Sequence, residues 1–293
     1  MIDFSCLPKK NKAYAGANGS KICVVYNDEP YMIKFPPNAK KRTELSYTNS
    51  CISEYIGSHV LNMIGINAQE TILGIYKVSG KEKIVVACKD FTSPGIVLQD
   101  FASLKNQMVD SVHSGYGTEL QDIIYTIENQ SAVDVLELKN HFWNLFIADA
   151  FIGNFDRHNG NWGFLYNTLT DEIEIAPVFD CGSCLYPQAD EELMKKILTD
   201  KAEMDARVFV FPTSSIQLNA KKINYFDFIS SLENSDCNEA LRRIVPEINM
   251  VAIKDMIYDI DCISETMKKF YYSMLMNRKE KILDYSLKKL SEL

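Results

Sequence analysis

The chain reads as an α+β protein, with a small β-rich N-terminal lobe on a helical C-terminal lobe. Three observations predict this. Short apolar strands separated by turn residues fill the first ninety positions. Apolar residues at helical spacing dominate the remaining two thirds of the chain. The 293 residues, 46% hydrophobic and 24% charged, are long and apolar enough to bury a substantial core. Strands first and helices later place the division near residue 90, giving lobes of 1–90 and 91–293.

Ile22–Tyr26 and Tyr31–Phe35 are the first two strands, joined through Asn27-Asp-Glu-Pro30. A basic, proline-containing loop (36–42) comes next. Leu45, Ile52, Ile56, Val60, Leu61 and Ile64 then recur at helical spacing, with Gly65 placed to end the helix. Thr71–Val78 and Lys83–Cys88 form a second hairpin across Ser79-Gly80-Lys81. Leu136 to Gly153 is apolar around most of its surface, so it is read as a buried helix. A polar loop, Asn154 to Trp162, leads into a third hairpin of Gly163–Tyr166 and Glu172–Ala176. Spans 190–205, 222–234, 247–261 and 264–290 read as four amphipathic helices.

Composition removes several function classes. Net charge is −8, which argues against a nucleic-acid partner, although the last stretch, 262–293, is locally basic. No apolar run reaches the ~20 residues of a membrane span, so no integral membrane contact is expected. The N-terminus shows no charged region followed by an apolar stretch, so no Sec-type signal is seen and a soluble, cytoplasmic protein is expected. Eight scattered cysteines fit small buried hydrophobes of a reducing compartment. Cys181-Gly-Ser-Cys184 has C-x-x-C spacing but no second ligand pair, so zinc is not expected there.

The chemistry concentrates in Gly153-Asn-Phe-Asp-Arg-His-Asn-Gly-Asn161 and Ala176-Pro-Val-Phe-Asp-Cys-Gly182. Centring the third hairpin's turn near 169–170 sets Asn161 opposite about Val178, with Asp180 just beyond on the same edge. Asp156 stands on the loop entering that end. Two carboxylates and an amide carbonyl are hard oxygen donors, suited to Mg²⁺ completed by water and phosphate oxygens. In the first lobe, Gly16-Ala17-Asn18-Gly19-Ser20-Lys21 offers backbone N–H groups and an ammonium to an anion. Lys34 lies in the apolar strand Tyr31-Met-Ile-Lys-Phe35, where a buried cation needs an anion; Glu54 or a nucleotide phosphate would serve.

The order G-A-x-x-x-K, strand, I-K-F-P, a helix with S-E-Y, a strand pair, D-R-H-x-x-N, hairpin, F-D resembles the HipA-like serine/threonine kinases, clearly over about residues 13–187. The resemblance implies a two-lobed, protein-kinase-like fold. It also implies transfer of the γ-phosphoryl group of ATP, with Mg²⁺, to Ser/Thr hydroxyls of a protein substrate, with autophosphorylation. Carried over by position, Lys34 would contact the α- and β-phosphates and Glu54 would hold it. Asp156 would be the catalytic base, and Asn161 and Asp180 would bind the metal. Gly16 to Lys21 would cover the phosphates, and the backbone from Ala87 through Cys88, Lys89 and Asp90 to Phe91 would seat adenine. His158, counted with Asp156 and Asn161 in the catalytic set, would fix the catalytic loop by hydrogen bonding or, on a lipid-kinase comparison, take part in proton transfer. One branch of the family also suggests signal-less delivery into a host cell and a part in virulence. The chain departs from the pattern at Lys12-Ala-Tyr-Ala15, where the family's regulatory serine stands, and at Cys181, which comes directly after the metal aspartate.

Two further readings stay open. D-R-H-x-x-N is similar to the motif of phosphatidylinositol kinases, although residues 182–194 contain no Lys or Arg to hold an anionic head group. A pseudokinase acting as a docking module is the other. The remaining histidines, His59, His113 and His141, lack metal-ligand spacing. Oligomeric state is not legible.

Overall fold

The computed structural model describes residues 1–12, 14, 21–37, 48–108 and 114–293. A six-stranded sheet occupies the N-terminal part, in the order β1-β5-β6-β4-β3-β2. Its strands are β1 (Ile2–Asp3), β2 (Lys9–Lys10), β3 (Lys21–Tyr26), β4 (Glu29–Lys34), β5 (Thr71–Val78) and β6 (Lys81–Lys89), with α1 (Ser50–Met63) between β4 and β5. The first connection is tighter than expected. Asn27 and Asp28 both take positive φ, +51° and +63°, so they make the two-residue turn that matches strand twist. Glu29 and Pro30 therefore join the strand, Glu29 opposite Tyr26. Ser79 and Gly80 turn β5 into β6 in the same way, with Lys81 already in the strand. Leu45 and its neighbours to residue 47, expected to open α1, lie outside the described residues, as does the loop Gly16 to Ser20.

One face of the sheet packs Phe4, Val24, Tyr31, Ile33, Tyr76, Val85 and Ala87 together. The other face sets Val86 and Cys88 against Cys51 of α1. Alternation along β6 produces both faces from one strand.

Beyond residue 95 come β7 (Ile96–Asp100), α2 (Phe101–Met108), α3 (Leu120–Asn129), α4 (Val135–Ile152), β8 (Gly163–Asn167) and β9 (Glu172–Ile175). The expected third hairpin forms, but β7 pairs with β8 to make it a three-stranded sheet. β7 escaped the sequence because three of its five residues are exposed, which leaves no alternation to see. α4 is capped by the Asp134 carboxylate, which accepts from Glu137 N–H at 2.8 Å, and ends on Gly153 at φ +64°. Only glycine adopts that left-handed turn at no steric cost. Eleven of the eighteen residues of α4 are buried, and the main core assembles around them.

The rest is α5 (Glu191–Thr199), α6 (Lys201–Phe209), β10 (Gln217–Leu218), β11 (Lys221–Lys222), α7 (Tyr225–Ser231), α8 (Ser235–Ile244), α9 (Met250–Tyr258), α10 (Glu265–Arg278) and α11 (Tyr285–Ser291). The span 190–205 is two helices, not one. Asp200 ends α5 and caps α6, its carboxylate accepting from Ala202 and Glu203 N–H. The expected helix over 222–234 shrinks to α7, and α8, capped by Asn234, was not foreseen. Residues 279–284 form a π segment that joins α10 to α11 without a break. No described helix is long and apolar enough to cross a membrane.

Candidate active site

Lys34, at the end of β4, is where the chain's parts meet. Its ammonium lies 2.9 Å from Glu54 Oε2 and 3.0 Å from Asp180 Oδ1. Burial opposes the charge on Lys34, but Asp180 and Glu54 outweigh it and hold its pKa well above the usual lysine value. Glu54 is buried on the inner side of α1, and its second oxygen accepts from the Cys181 N–H at 3.1 Å. A single carboxylate thus ties strand, helix and the Asp180 segment together.

Lys21 is directly opposite Lys34 in the β3–β4 register. Burial, then the neighbouring Lys34 charge, lowers its pKa, while Asp180 and Glu54 partly restore it. Two ammonium groups side by side make a natural seat for a polyanion.

Asp180 has a backbone φ of +59°, an uncommon conformation for a side-chain-bearing residue and one that turns its carboxylate toward Lys34. Lys34 holds that carboxyl down to about 2. Asp156 moves the other way. Burial raises its pKa, His158 opposes this, and Asp180 adds to it. Two neighbouring carboxylates with opposed shifts are suited to different roles.

The loop that carries Asp156 is held by its own backbone. Asn154 Oδ1 accepts from Asp156 N–H at 3.1 Å, and the Asp156 carbonyl accepts from His158 N–H at 2.8 Å and Asn161 Nδ2 at 2.7 Å. That last bond fixes the Asn161 side-chain amide through its nitrogen and leaves Oδ1 without a hydrogen bond among the described residues. His158 Nδ1 accepts from Gly160 N–H at 3.0 Å, so the imidazole braces the turn.

Arg157 is the residue that sequence reasoning passed over. It is 4% exposed. Its guanidinium donates to both Asp149 oxygens at 3.1 and 3.4 Å, and to the carbonyls of Asn161 at 2.8 Å and Phe179 at 2.5 Å. A signal was present: Asp149 is the one charge in the apolar stretch from Phe142 to Gly153 and needs a cation.

The stretch expected to seat adenine is largely committed to the sheet. Ala87 and Cys88 are fully buried in β6, between β4 and β5. The Lys89 N–H donates to Glu70 O and its carbonyl accepts from Gln69 Nε2. The Asp90 N–H donates to Pro30 O at 2.9 Å. The Phe91 N–H makes no hydrogen bond among the described residues, and the Phe91 ring sits 6.0 Å from that of Phe179.

The Asp90 side chain is also spoken for. It accepts from Tyr14 OH at 2.7 Å, from Thr92 Oγ1 at 2.7 Å and from Lys12 Nζ at 2.6 Å. Burial alone would raise the Asp90 carboxyl, but the Lys12, Thr92 and Tyr14 hydrogen bonds bring it below its usual value. It therefore anchors the chain entering the 15–20 segment onto the end of β6. Replacing Tyr14 with phenylalanine removes one of those bonds, worth about 1 kcal/mol. Expected is a loss of about 1 kcal/mol in unfolding free energy, read from denaturant unfolding; a parental midpoint would show that the anchor does not hold this stretch.

His113 lies outside the described residues. His59 Nδ1 pairs with the Tyr55 carbonyl, and half-buried His141 is pushed down to about 4 by desolvation and Arg157. Cys181 and Cys184 are fully buried, and burial pushes both thiols up, Cys181 to about 12, so they are packing residues. No group of three or more His, Cys, Asp or Glu side chains gathers as a metal site among the described residues.

Known proteins resemble this chain in sequence and fold. The model of the HipA-like C-terminal domain matches residues 12–252. The serine/threonine-protein kinase CtkA of Helicobacter pylori is 50% identical over 285 residues, which span 97% of this chain and 86% of that protein. The crystal structure of a Helicobacter pylori proinflammatory kinase CtkA matches with a TM-score of 0.94 and 48% identity, over 99% of this chain and 98% of the other. A chain of the Shewanella oneidensis HipA–HipB–operator DNA complex shares the fold alone, at a TM-score of 0.54 and 13% identity over 95% of this chain and 68% of that one. Matched along most of its length by the domain and at half its positions by a named kinase, the chain belongs to the HipA-like serine/threonine kinase family.

Proposed function

We propose that the protein uses ATP and Mg²⁺ to phosphorylate Ser or Thr hydroxyls of a protein substrate, and that it also phosphorylates itself. The observation that carries this is the Lys34 ammonium bridging Glu54 and Asp180, with Asp156 close enough to Asp180 to feel its charge. On this reading, residues 1–90 are the small lobe and 91–293 the large lobe of a kinase, and the nucleotide lies between them.

Phosphoryl transfer needs positioning and compensation of negative charge more than covalent chemistry. Lys34 and Lys21 supply positive charge to the phosphates. Asp156 orients the acceptor hydroxyl and takes its proton. The Phe91 N–H and the Phe91 and Phe179 rings offer the adenine a donor and apolar walls. Gly16 to Ser20 would close over the phosphates.

The donor set fits Mg²⁺. Asp180 keeps Oδ2 outside its bond to Lys34, and the Asn161 side-chain Oδ1 has no hydrogen bond among the described residues. Two protein oxygens, the rest of the shell being water and phosphate, match how this ion is held in nucleotide sites. When bound, the ion supplies charge neutralisation at the phosphates.

Incubation with γ-labelled ATP and Mg²⁺, followed by mass spectrometry, is expected to find phosphate on Ser or Thr of the protein itself. Nucleotide binding that ignores the metal, with no label on the chain or on added protein, would replace this reading with a docking module.

A further inference from the structure

We propose that Arg157 is the positioning residue that sets the gap between Asn161 and Asp180, and with it the affinity of the site for Mg²⁺. The inference rests on the kinase reading above and concerns how that site is built.

The hairpin alone does not set this gap. The β8–β9 ladder runs in register from Asn167↔Glu172 to Phe164↔Ile175, and Ala176 N–H still donates to the Gly163 carbonyl at 2.9 Å. Extended two steps, it would pair Asn161 with Val178. It does not extend. Val178 turns to another partner, accepting from Gln69 N–H and donating to Asn67 O, both at 2.8 Å. Past Gly163 the two chains therefore part, and the strand bonds that would have fixed Asn161 against the Asp180 segment are missing.

The Arg157 guanidinium fills that gap. A guanidinium has five N–H donors in a rigid plane, and all five are used. Two grip Asp149. One nitrogen, Nη1, donates to both the Asn161 carbonyl at 2.8 Å and the Phe179 carbonyl at 2.5 Å. Nη2 also reaches the Cys181 sulfur at 3.5 Å. The first carbonyl belongs to one expected metal ligand. The second belongs to the residue before the other ligand, and the sulfur to the residue after it. A planar fork thus takes over the work of the missing ladder, and α4 anchors it through Asp149. Lysine cannot reproduce this, because an ammonium is a point donor without a fixed fork.

The test reads metal affinity, not turnover. Mn²⁺ binding is measured by the loss of its free-ion paramagnetic resonance signal, in the presence of a non-hydrolysable ATP analogue. Partners that orient metal ligands are worth tenfold to a hundredfold in affinity. Arg157→Lys is therefore expected to weaken Mn²⁺ binding about tenfold or more, while binding of the analogue in chelator stays within about twofold of the parent. A folded Arg157→Lys protein with parental Mn²⁺ affinity would overturn the proposal. If that variant fails to fold, Asp149→Asn keeps the shape and one acceptor while loosening the grip on the fork. It must shift Mn²⁺ affinity the same way by a smaller factor, and a folded Asp149→Asn protein with parental affinity overturns the proposal equally. A parent protein that binds no Mn²⁺ beside the analogue overturns both this and the kinase reading, and is told apart because the failure precedes any substitution.

Discussion

Replacing Asp156 with asparagine is expected to lower kcat for phosphoryl transfer at least ~10²-fold and to leave the fold intact. Positioned proton acceptors contribute about 10² to 10⁴ in rate, and asparagine keeps the size of the side chain while losing its basicity. The fold should not notice. Every hydrogen bond that Asp156 makes within the loop runs through its backbone, to Asn154, His158 and Asn161. Unfolding free energy should stay within about 1 kcal/mol of the parent, the range of substitutions that break no buried contact. Nucleotide affinity should hold as well, since on the proposed reading the residue serves the acceptor hydroxyl. Parental turnover in this variant would remove Asp156 from the mechanism, and a collapse of stability would make any rate loss uninformative.

Lys34→Met should cost both activity and stability. The ammonium is 15% exposed and its partner Glu54 only 2%. Methionine fills the same space but leaves the Glu54 carboxylate buried, with the Cys181 N–H as its remaining donor. Breaking a buried pair by removing one partner costs about 3–5 kcal/mol, and the 47% exposure of Asp180 puts this case toward the lower figure. Loss of the phosphate-facing charge should also lower transfer at least ~10²-fold. Denaturant unfolding and turnover measure the two losses separately. The double variant Lys34→Met/Glu54→Gln should recover much of the stability and none of the activity, because it removes the stranded charge without restoring the cation. Equal stability of single variant and parent would show that the ion pair is not part of the scaffold.

Local patterns were readable in the sequence. Alternation over Thr71–Val78 and the apolar run into Gly153 produced elements that match within a residue or two. Asn27-Asp28 was seen as a turn, though its preference for positive φ made it two residues shorter than drawn. Exposed or polar elements carried too little periodicity: β7 shows solvent most of its length, and α8 rests on its Asn234 cap and a narrow apolar stripe. At the site, Lys34 in an apolar strand and the acids around the third hairpin were visible because burial makes charges conspicuous. The means of their convergence was not. Register arithmetic brought Asn161 near Asp180 through a ladder that in fact ends earlier, and Arg157 closes the distance through contacts four to twenty-four residues away. Such contacts leave no period in the sequence.

Gly57 bears on how this molecule is able to move. A side chain there would put its first carbon 2.8 Å from Cys181 Cβ and 2.9 Å from Cys184 Sγ, so α1 lies flush against the segment after Asp180. Glu54, one turn earlier, is latched to the same segment. On the kinase reading proposed above, α1 is thereby riveted to the segment beneath the nucleotide, and a swing of the helix away from it would have to break both contacts. On the same reading, opening of the site would come more readily from the strands moving over the helix, with the Lys34–Glu54 bridge as the joint that stretches. Control of such an enzyme would act on the roof of the cleft and leave the helix in place.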